Sequence, residues 1–326
     1  MRGCKNLKKM PTSKSNNKHI GITLGDPCGI GPEVVAKALA NQAIANLARF
    51  KIIGNEEIYR QYAKHLAPNC SFIQAGSLVL SQWKRGEVNP LSGKDSLDYL
   101  KKAVELLKHK EIDALVTAPV SKEAIARTDS SFVGHTEFLA DNWNIKHVGM
   151  MFVSETLRTV LVTRHIPLKK VSQALNSRLI FEMIALTHQA LRQFFKIKDP
   201  AIGVCGVNPH AGEGGLLGKE EITKIIPAIK KALKNKWNIE GPLSADSLFA
   251  PDHVKRYDAV VAMYHDQGLI AVKALFFSKL VNLTLGLPFV RTSPAHGTAF
   301  DIAGKNIADP SSMMEAIKLA AALCDS

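Results

Sequence analysis

The chain lacks long apolar runs and paired cysteine motifs, and both absences narrow its class. No uninterrupted apolar stretch approaches the roughly 18 residues that suggest a membrane-spanning helix. The five cysteines are scattered without a C-x-x-C pair, and their odd number leaves one outside any intramolecular disulfide scheme. Reduced thiols in a reducing compartment are therefore expected. Together these features predict a cytoplasmic protein without a membrane partner.

The usual fingerprints of nucleotide and metal sites are missing as well. Residues 25–33 read G-D-P-C-G-I-G-P-E, which is neither the dinucleotide pattern G-x-G-x-x-G nor a P-loop, and the chain contains no H-E-x-x-H. Pro32 and Glu33 suit the first turn of a helix, because proline needs no N–H donor there and glutamate complements the helix dipole. The stretch therefore predicts a corner between a strand and a helix, with a ligand contact as the alternative.

Positive charge dominates the chain, with a formal net charge of +13 at pH 7. Six of these charges lie in residues 1–19, which carry no acidic side chain and no apolar stretch typical of a secretory signal. The Ser, Asn and Lys content of this tail predicts disorder. The rest of the chain has a net charge of +7, which is compatible with an anionic substrate or with an ordinary basic surface. Nucleic-acid binding is not expected.

The length of 326 residues exceeds the size of one simple core and favours a two-lobed α/β protein. Apolar strand-like runs alternate with helix-like segments, which predicts a mostly parallel, doubly wound sheet. A hairpin is expected over residues 148–162, an amphipathic helix over 97–110, and a further helix capped by Ser121. Residues 67–95 and 291–310 are rich in turn-forming residues and are expected to be irregular.

Three of the eleven histidines follow apolar strand-like runs and precede turns that contain proline or glycine. They are His165, His210 and His265. The carboxyl ends of parallel strands meet at one edge of a sheet, so the three imidazoles can converge there. Three imidazoles with an open coordination position suit zinc or a similar divalent ion. Their separations of 45 and 55 residues form no compact motif, so the spacing alone is weak support.

Two polar stretches offer further chemistry with open alternatives. His265 and Asp266 are a metal-binding or proton-transfer pair, or else a solvated loop pair. Gly134, His135 and Thr136 precede a helix-like segment, where imidazole, hydroxyl and backbone N–H groups suit an anion such as phosphate. The alternative there is a plain helix cap by Thr136.

Seven motifs occur in order along residues 20–326. They read G-D-P-C-G-I-G-P-E, V-T-A-P-V-S-K, G-H-T-E-F-L-A, V-N-P-H-A-G-E-G-G, G-P-L-S-A-D-S-L-F, M-Y-H-D-Q-G-L-I-A-V-K and H-G-T-A-F-D-I-A-G-K. Together they resemble the 4-hydroxythreonine-4-phosphate dehydrogenase family of vitamin B6 biosynthesis. The resemblance implies a fold similar to that of the isocitrate and isopropylmalate dehydrogenases, which are two-lobed α/β proteins without the usual dinucleotide fingerprint.

The resemblance assigns roles to individual residues. It implies that the divalent metal is bound by His165, His210 and His265. The residues implied to contact the substrate are His135, Thr136, Lys273, Asn282 and Arg291. The residues implied to bind the cofactor are His296, Gly297, Thr298, Asp301 and Asn306. A carboxylate such as Asp301 on the ribose favours NAD over NADP, because it would repel a 2′-phosphate.

The implied reaction is the oxidation of 4-phosphooxy-L-threonine with hydride transfer to NAD, followed by loss of CO2 to give 3-amino-2-oxopropyl phosphate. The metal is expected to be zinc, with magnesium or cobalt as alternatives. The hydroxyl proton needs a base, for which Asp246 and Asp266 are comparable candidates, and Asp266 could instead orient a metal-binding imidazole. Lys273 and Arg291 are expected to hold anionic groups.

The resemblance also implies a homodimer whose active sites take residues from both subunits. The expected lobes are residues 20–140 with 286–326, which carry the cofactor loop, and residues 141–285, which carry the metal ligands. Relatives act on phosphorylated sugar acids or aromatic dihydrodiols, and these are the nearest alternative substrates. A metal hydrolase that uses the same histidines is a remoter alternative, since it would leave the implied cofactor residues between 296 and 306 without a role.

Overall fold

A computed structural model describes residues 18–276 and 279–324, which form eleven strands and thirteen α-helices. The strands are β1 (His19–Thr23), β2 (Arg49–Gly54), β3 (Cys70–Gln74), β4 (Ala114–Thr117), β5 (Gly149–Val153), β6 (Arg158–Leu161), β7 (Ile202–Cys205), β8 (Ile239–Leu243), β9 (Ala259–Ala262), β10 (Val281–Leu285) and β11 (Val290–Pro294). The helices are α1 (Gly31–Ala40), α2 (Gln42–Ala45), α3 (Glu56–Arg60), α4 (Pro90–Lys108), α5 (Lys122–Ala126), α6 (His135–Asn142), α7 (Val171–Ala174), α8 (Ser177–Gln193), α9 (Ile226–Lys234), α10 (Ala245–Leu248), α11 (Pro251–Val254), α12 (His265–Phe276) and α13 (Ser311–Leu323).

All of these strands belong to one sheet, in the order β3-β2-β1-β4-β11-β10-β5-β6-β9-β7-β8. The strands β3, β2, β1, β4 and β11 are parallel to one another, and β6, β9, β7 and β8 form a second parallel group. Antiparallel pairing of β10 with β11 and β5, and of β5 with β6, makes the two groups run in opposite directions. The α/β class and the hairpin of β5 with β6 are thereby confirmed.

Helices cover both faces of the sheet, as strands that are buried at every position require. In β9, Val261 packs in the main core together with Ile184 of α8. The next side chain along the strand, Val260, points to the opposite face and packs in a second core cluster with Leu269 of α12. Across the described ranges, no helix is both long and apolar enough to cross a membrane.

The two halves of the sheet come from different parts of the chain. The strands β1 to β4 and β11 come from the first expected lobe, and β5 to β10 come from the second. One continuous sheet crosses both halves, and the division into lobes stays a prediction. Of the expected basic tail, residues 1–17 lie outside the described residues, and β1 begins at His19.

Two segments expected to be irregular contain strands. Cys70–Gln74 forms the edge strand β3, whose half-exposed side chains include no continuous apolar run. Val290–Pro294 forms the central strand β11, in which Arg291 interrupts the apolar pattern that marks a buried strand. Helix α4 also starts earlier than predicted, because the Asn89 side chain accepts a hydrogen bond from the first turn and Pro90 suits its first position.

Candidate active site

A cavity of about 310 Å³ lies beside the central strands β4, β11, β10 and β5. Asn282 of β10 pairs with Ser293 of β11, so their side chains lie on the same face of the sheet. Arg291 is two residues from Ser293 along β11 and shares that face, because strand side chains alternate. Polar side chains of the two central strands are thus directed into one cavity.

All five side chains that the sequence assigns to the substrate line this cavity, namely His135, Thr136, Lys273, Asn282 and Arg291. Two of the predicted metal ligands, His165 and His265, also line it, as do His296 and Gly297 of the predicted cofactor set. The fold therefore brings predicted site residues that are far apart in the sequence, from His135 to Gly297, into one cavity. Their roles stay predictions. A second cleft of about 550 Å³ beside β2 and β3 contains none of the predicted site residues.

Arg291 is a buried cation in the cavity wall, with 3% of its surface exposed. Its guanidinium donates hydrogen bonds to the hydroxyl oxygens of Thr117 (2.6 Å) and Thr284 (3.1 Å). Its Nε has no hydrogen-bond partner in the part of the chain that the structure describes. Burial lowers the pKa of Arg291 to about 10, and the Glu137 carboxylate opposes this shift. A buried cation that donates to neutral hydroxyls suits an anionic ligand.

Three further buried atoms at the cavity lack a hydrogen-bond partner among the described residues. They are His135 Nε2, Asn282 Oδ1 and His296 Nε2. Burial lowers the pKa of His135 well below its usual value, and the charges of Arg291 and Lys122 add to the effect. The His135 ring is therefore neutral at pH 7 and can accept or donate a hydrogen bond. Buried polar atoms are normally paired, so this group points to a polar ligand.

The first turn of α6 also faces the cavity, since Gly134 to Glu137 line it. Gly134 is the residue before the helix, and no side chain within the described residues caps this end. The alternative of a cap by Thr136 is therefore wrong. The N–H groups of an uncapped first turn are suited to an anion.

His165 and His265 lie together, with their ring centroids 5.7 Å apart. His265 Nδ1 lies 2.6 Å from Asp266 Oδ1. Burial lowers the pKa of His165, with Lys122 as the next cause. Neutral imidazoles are the form that binds a metal ion, so this pair offers two nitrogen ligands at the cavity.

The third predicted ligand, His210, does not join this pair. It is exposed on the loop after β7, where residues 210–214 all have left-handed φ. The pKa of Asp246 is lowered chiefly by the Ser244 hydroxyl, and the charge of His210 contributes to the shift, so His210 lies near Asp246. Over residues 18–276 and 279–324, no three His, Cys, Asp or Glu side chains are grouped closely enough to hold a metal ion. The fold described here thus brings together two of the three predicted metal ligands.

The segment predicted to bind the cofactor, residues 296–306, is called the cofactor loop and continues from the cavity along the start of α1. The carbonyl oxygen of Thr298 accepts a hydrogen bond of 3.0 Å from the N–H of Ile30. Asp301 and Asn306 lie outside the cavity lining and are exposed. Apart from Gly297 and its two chain neighbours, no described atom lies within 4 Å of the position that a Cβ would occupy on Gly297. Open backbone at Gly297 and an exposed carboxylate at Asp301 fit a dinucleotide laid along the loop.

Sequence reasoning missed two charged residues of the cavity. Lys122 ends the motif V-T-A-P-V-S-K, which had no assigned role, and Glu137 follows the predicted His135–Thr136 pair. Glu137 Oε1 lies 3.4 Å from Arg164 Nη1, and Glu137 is the one carboxylate among the described lining residues. The lining also carries three basic side chains, Lys122, Lys273 and Arg291, so positive charge exceeds negative charge and the cavity is cationic.

One family model and several relatives match this chain over most of its length. The model described as "Pyridoxal phosphate biosynthetic protein PdxA" matches residues 28–320. A protein of Oceanobacillus iheyensis named "Putative D-threonate 4-phosphate dehydrogenase" is 42% identical over 91% of this chain and 95% of its own length. A 4-hydroxythreonine-4-phosphate dehydrogenase of Desulforapulum autotrophicum is 40% identical over 94% of this chain and 95% of its own. The crystal structure of a 4-hydroxythreonine-4-phosphate dehydrogenase from Burkholderia phymatum has a TM-score of 0.80 and 38% identity, covering 95% of this chain and 99% of that one.

Proposed function

The chain belongs to the PdxA family of pyridoxal phosphate biosynthetic proteins, and we propose that it oxidises and decarboxylates 4-phosphooxy-L-threonine to 3-amino-2-oxopropyl phosphate with NAD and a divalent metal. Its relatives identify it as an oxidoreductase. The observation that carries the proposal is the cationic cavity, in which the buried guanidinium of Arg291 donates to two threonine hydroxyls. Such a cavity is complementary to a small ligand that bears a phosphate and a carboxylate.

The proposed substrate contacts follow from the charges of the cavity. Arg291 and Lys273 bind the anionic groups, and the uncapped first turn of α6 adds N–H donors beside Thr136. Arg291 is held in place by two threonine hydroxyls before the ligand arrives, so little of its side-chain entropy is lost on binding. Asn282 Oδ1 is available to accept from a hydroxyl or an ammonium group.

The proposed metal site is centred on His165 and His265. A divalent ion held by these rings would supply positive charge beside the substrate hydroxyl, which would lower the pKa of that hydroxyl and favour loss of its proton before hydride transfer. Asp266 contacts His265 Nδ1 and so fixes the orientation and the tautomer of that ring. This contact supports an orienting role for Asp266, and Asp246 is our candidate for the base.

The separate position of His210 supports a homodimer with shared active sites. Large exposed apolar side chains follow each of the three candidate histidines along the chain. They are Ile166, Leu168, Leu216, Leu217, Ile270 and Leu275. Where such side chains form a contiguous patch, they mark a protein contact surface. We infer that a second copy covers them and brings its own His210 and Asp246 to His165 and His265.

Mixing two inactive variants tests the shared site. His165→Ala and His210→Ala are unfolded together and allowed to refold and reassociate. If each site takes the two residues from different subunits, half of the dimers carry one intact site, and about a quarter of the wild-type activity returns. If the histidines of a site all come from one subunit, no hybrid contains an intact site and the mixture stays inactive.

A second candidate substrate is D-threonate 4-phosphate, which carries a hydroxyl where phosphooxythreonine carries an amino group. The specific observation in its favour is the name of the Oceanobacillus relative, which is 42% identical to this chain. The cationic cavity suits both substrates equally, since both carry a phosphate and a carboxylate.

Turnover assays decide the function directly. NADH formation is followed with each substrate in turn, with zinc, magnesium or cobalt added to metal-stripped protein. The higher kcat/KM identifies the substrate. Substituting NADP for NAD tests the preference inferred from Asp301. A protein that reduces neither cofactor with either substrate and any of these metals would contradict the proposal.

A further inference from the structure

Two charged residues of α1 hold the far end of the cofactor loop. Glu33 has no exposed surface, and its Oε1 accepts hydrogen bonds of 2.8 Å from Lys37 Nζ and from the backbone N–H of Ala308. Lys37 Nζ also donates to the carbonyl oxygens of Asn306 and Ala308, each at 3.0 Å. One ion pair near the start of the chain therefore binds three backbone groups near its end.

The cofactor loop depends on such anchoring, because its own conformation is not favoured. It contains no strand or α-helix, and Ala299 and Asn306 have φ of 44° and 56°. Left-handed φ is disfavoured for residues with a Cβ. Asp301 itself is exposed, while its neighbours Phe300 and Ile302 pack against core clusters. The conformation that presents Asp301 therefore depends on this packing together with the contacts at the far end of the loop.

We propose that Glu33 and Lys37 are positioning residues for the dinucleotide cofactor, because they hold the cofactor loop in the conformation that presents Asp301. This inference rests on the proposed NAD-linked function, since it concerns the same loop. A buried carboxylate needs a countercharge and hydrogen bonds to be stable. At Glu33 both are shared with the backbone of residues 306–308, so the burial of this charge is coupled to the position of the loop.

The test compares Lys37→Met with a matched control. Methionine keeps an apolar stem of similar shape and removes the Nζ that binds residues 306 and 308. Lys51→Met is the control, because Lys51 also forms an ion pair, with Glu111 at 2.6 Å, but on β2 away from the loop. Glu33→Gln is a second variant that retains an acceptor for the Ala308 N–H and should show a smaller effect in the same direction.

Two readouts separate positioning from general stability. Hydrogen exchange of amides 299–308 is measured on cofactor-free protein, and the Kd of NADH is measured by fluorescence titration. In Lys37→Met the loop amides should exchange faster, and the Kd of NADH should rise about tenfold, because binding must then order the loop. The kcat at saturating NAD and the KM of the phosphorylated substrate should stay within about twofold of the wild type.

Three results overturn the inference. The first is an unchanged Kd of NADH in Lys37→Met while the wild type binds NADH, which leaves the proposed function intact. The second is an equal loss of NADH affinity in Lys51→Met, which shows a general effect of losing an ion pair. The third is a wild type that binds no NADH, which refutes the proposed function and this inference together.

Discussion

Replacing Asp26 by asparagine should change the free energy of unfolding, relative to wild type, more favourably at neutral pH than at acidic pH. Asp26 lies in the turn between β1 and α1 and has no exposed surface. Its Oδ1 accepts a hydrogen bond of 2.9 Å from the Cys28 N–H, and its Oδ2 has no hydrogen-bond partner in the described chain. Burial raises the pKa of Asp26 from 3.8 to about 6, against the opposing effect of the Cys28 N–H.

The raised pKa of Asp26 determines how the stability of the protein changes with pH. The folded state binds the Asp26 proton more tightly than the unfolded state, so ionisation destabilises the fold. The penalty is absent below about pH 3.8, grows as the pH rises, and is complete above about pH 6, where it amounts to roughly 3 kcal/mol. Between about pH 4.5 and pH 7.5 the free energy of unfolding of Asp26→Asn relative to wild type should therefore rise by about 2 kcal/mol.

Urea unfolding at both pH values, at one fixed protein concentration, measures this difference. An unpaired amide Nδ2 would cost about 1–3 kcal/mol at any pH, so the change between the two pH values carries the test. Asp252→Asn, at an exposed aspartate paired with Lys255, controls for the loss of one carboxylate. If the free energies of unfolding of Asp26→Asn and wild type differ by the same amount at both pH values, the reasoning is refuted.

Three further predictions concern the site and the packing around it. Arg291→Ala should raise the KM of the phosphorylated substrate by about 10- to 100-fold, since charged hydrogen bonds contribute about 1.5–3 kcal/mol each; unchanged kinetics would remove Arg291 from the anion site. Asp266→Asn should weaken metal binding, measured by calorimetry, by about 10- to 100-fold through the loss of the His265 contact, and an unchanged affinity would contradict the orienting role. Gly93→Ala should lower the free energy of unfolding by about 1–3 kcal/mol, because its Cβ would lie 2.2 Å from the Ala124 backbone, and a stabilised variant would exclude this close packing of α4 and α5.

Local chemistry was sufficient to predict several features. The glycine- and proline-rich turn after β1 leads into α1, and Ser121 Oγ caps α5 by accepting the Ala124 N–H at 3.1 Å. The apolar run that precedes His265 forms β9, as its composition indicated. Each of these follows from neighbouring residues, because a cap, a turn and the end of an apolar run are decided within a few positions.

Tertiary structure decided what no local pattern could. The segment V-R-T-S-P reads as a loop, yet β11 is central because β4 and β10 supply its hydrogen bonds and Thr284 and Thr117 supply partners for the guanidinium of Arg291. In the same way, His210 shares a strand-end context with His165 in the sequence, but the fold of one copy keeps it out of the cavity.

The sequence alone therefore determined the α/β class, the family motifs and the residue types available for binding an anion, a metal and a dinucleotide. The tertiary structure decided which of those residues share a cavity, how deeply Arg291 and His135 are buried, and that Glu33 and Lys37 hold the loop near the other end of the chain. The physical reason is that burial and hydrogen bonding between distant segments depend on the completed sheet, whereas caps, turns and apolar periodicity depend on residues close together in the chain.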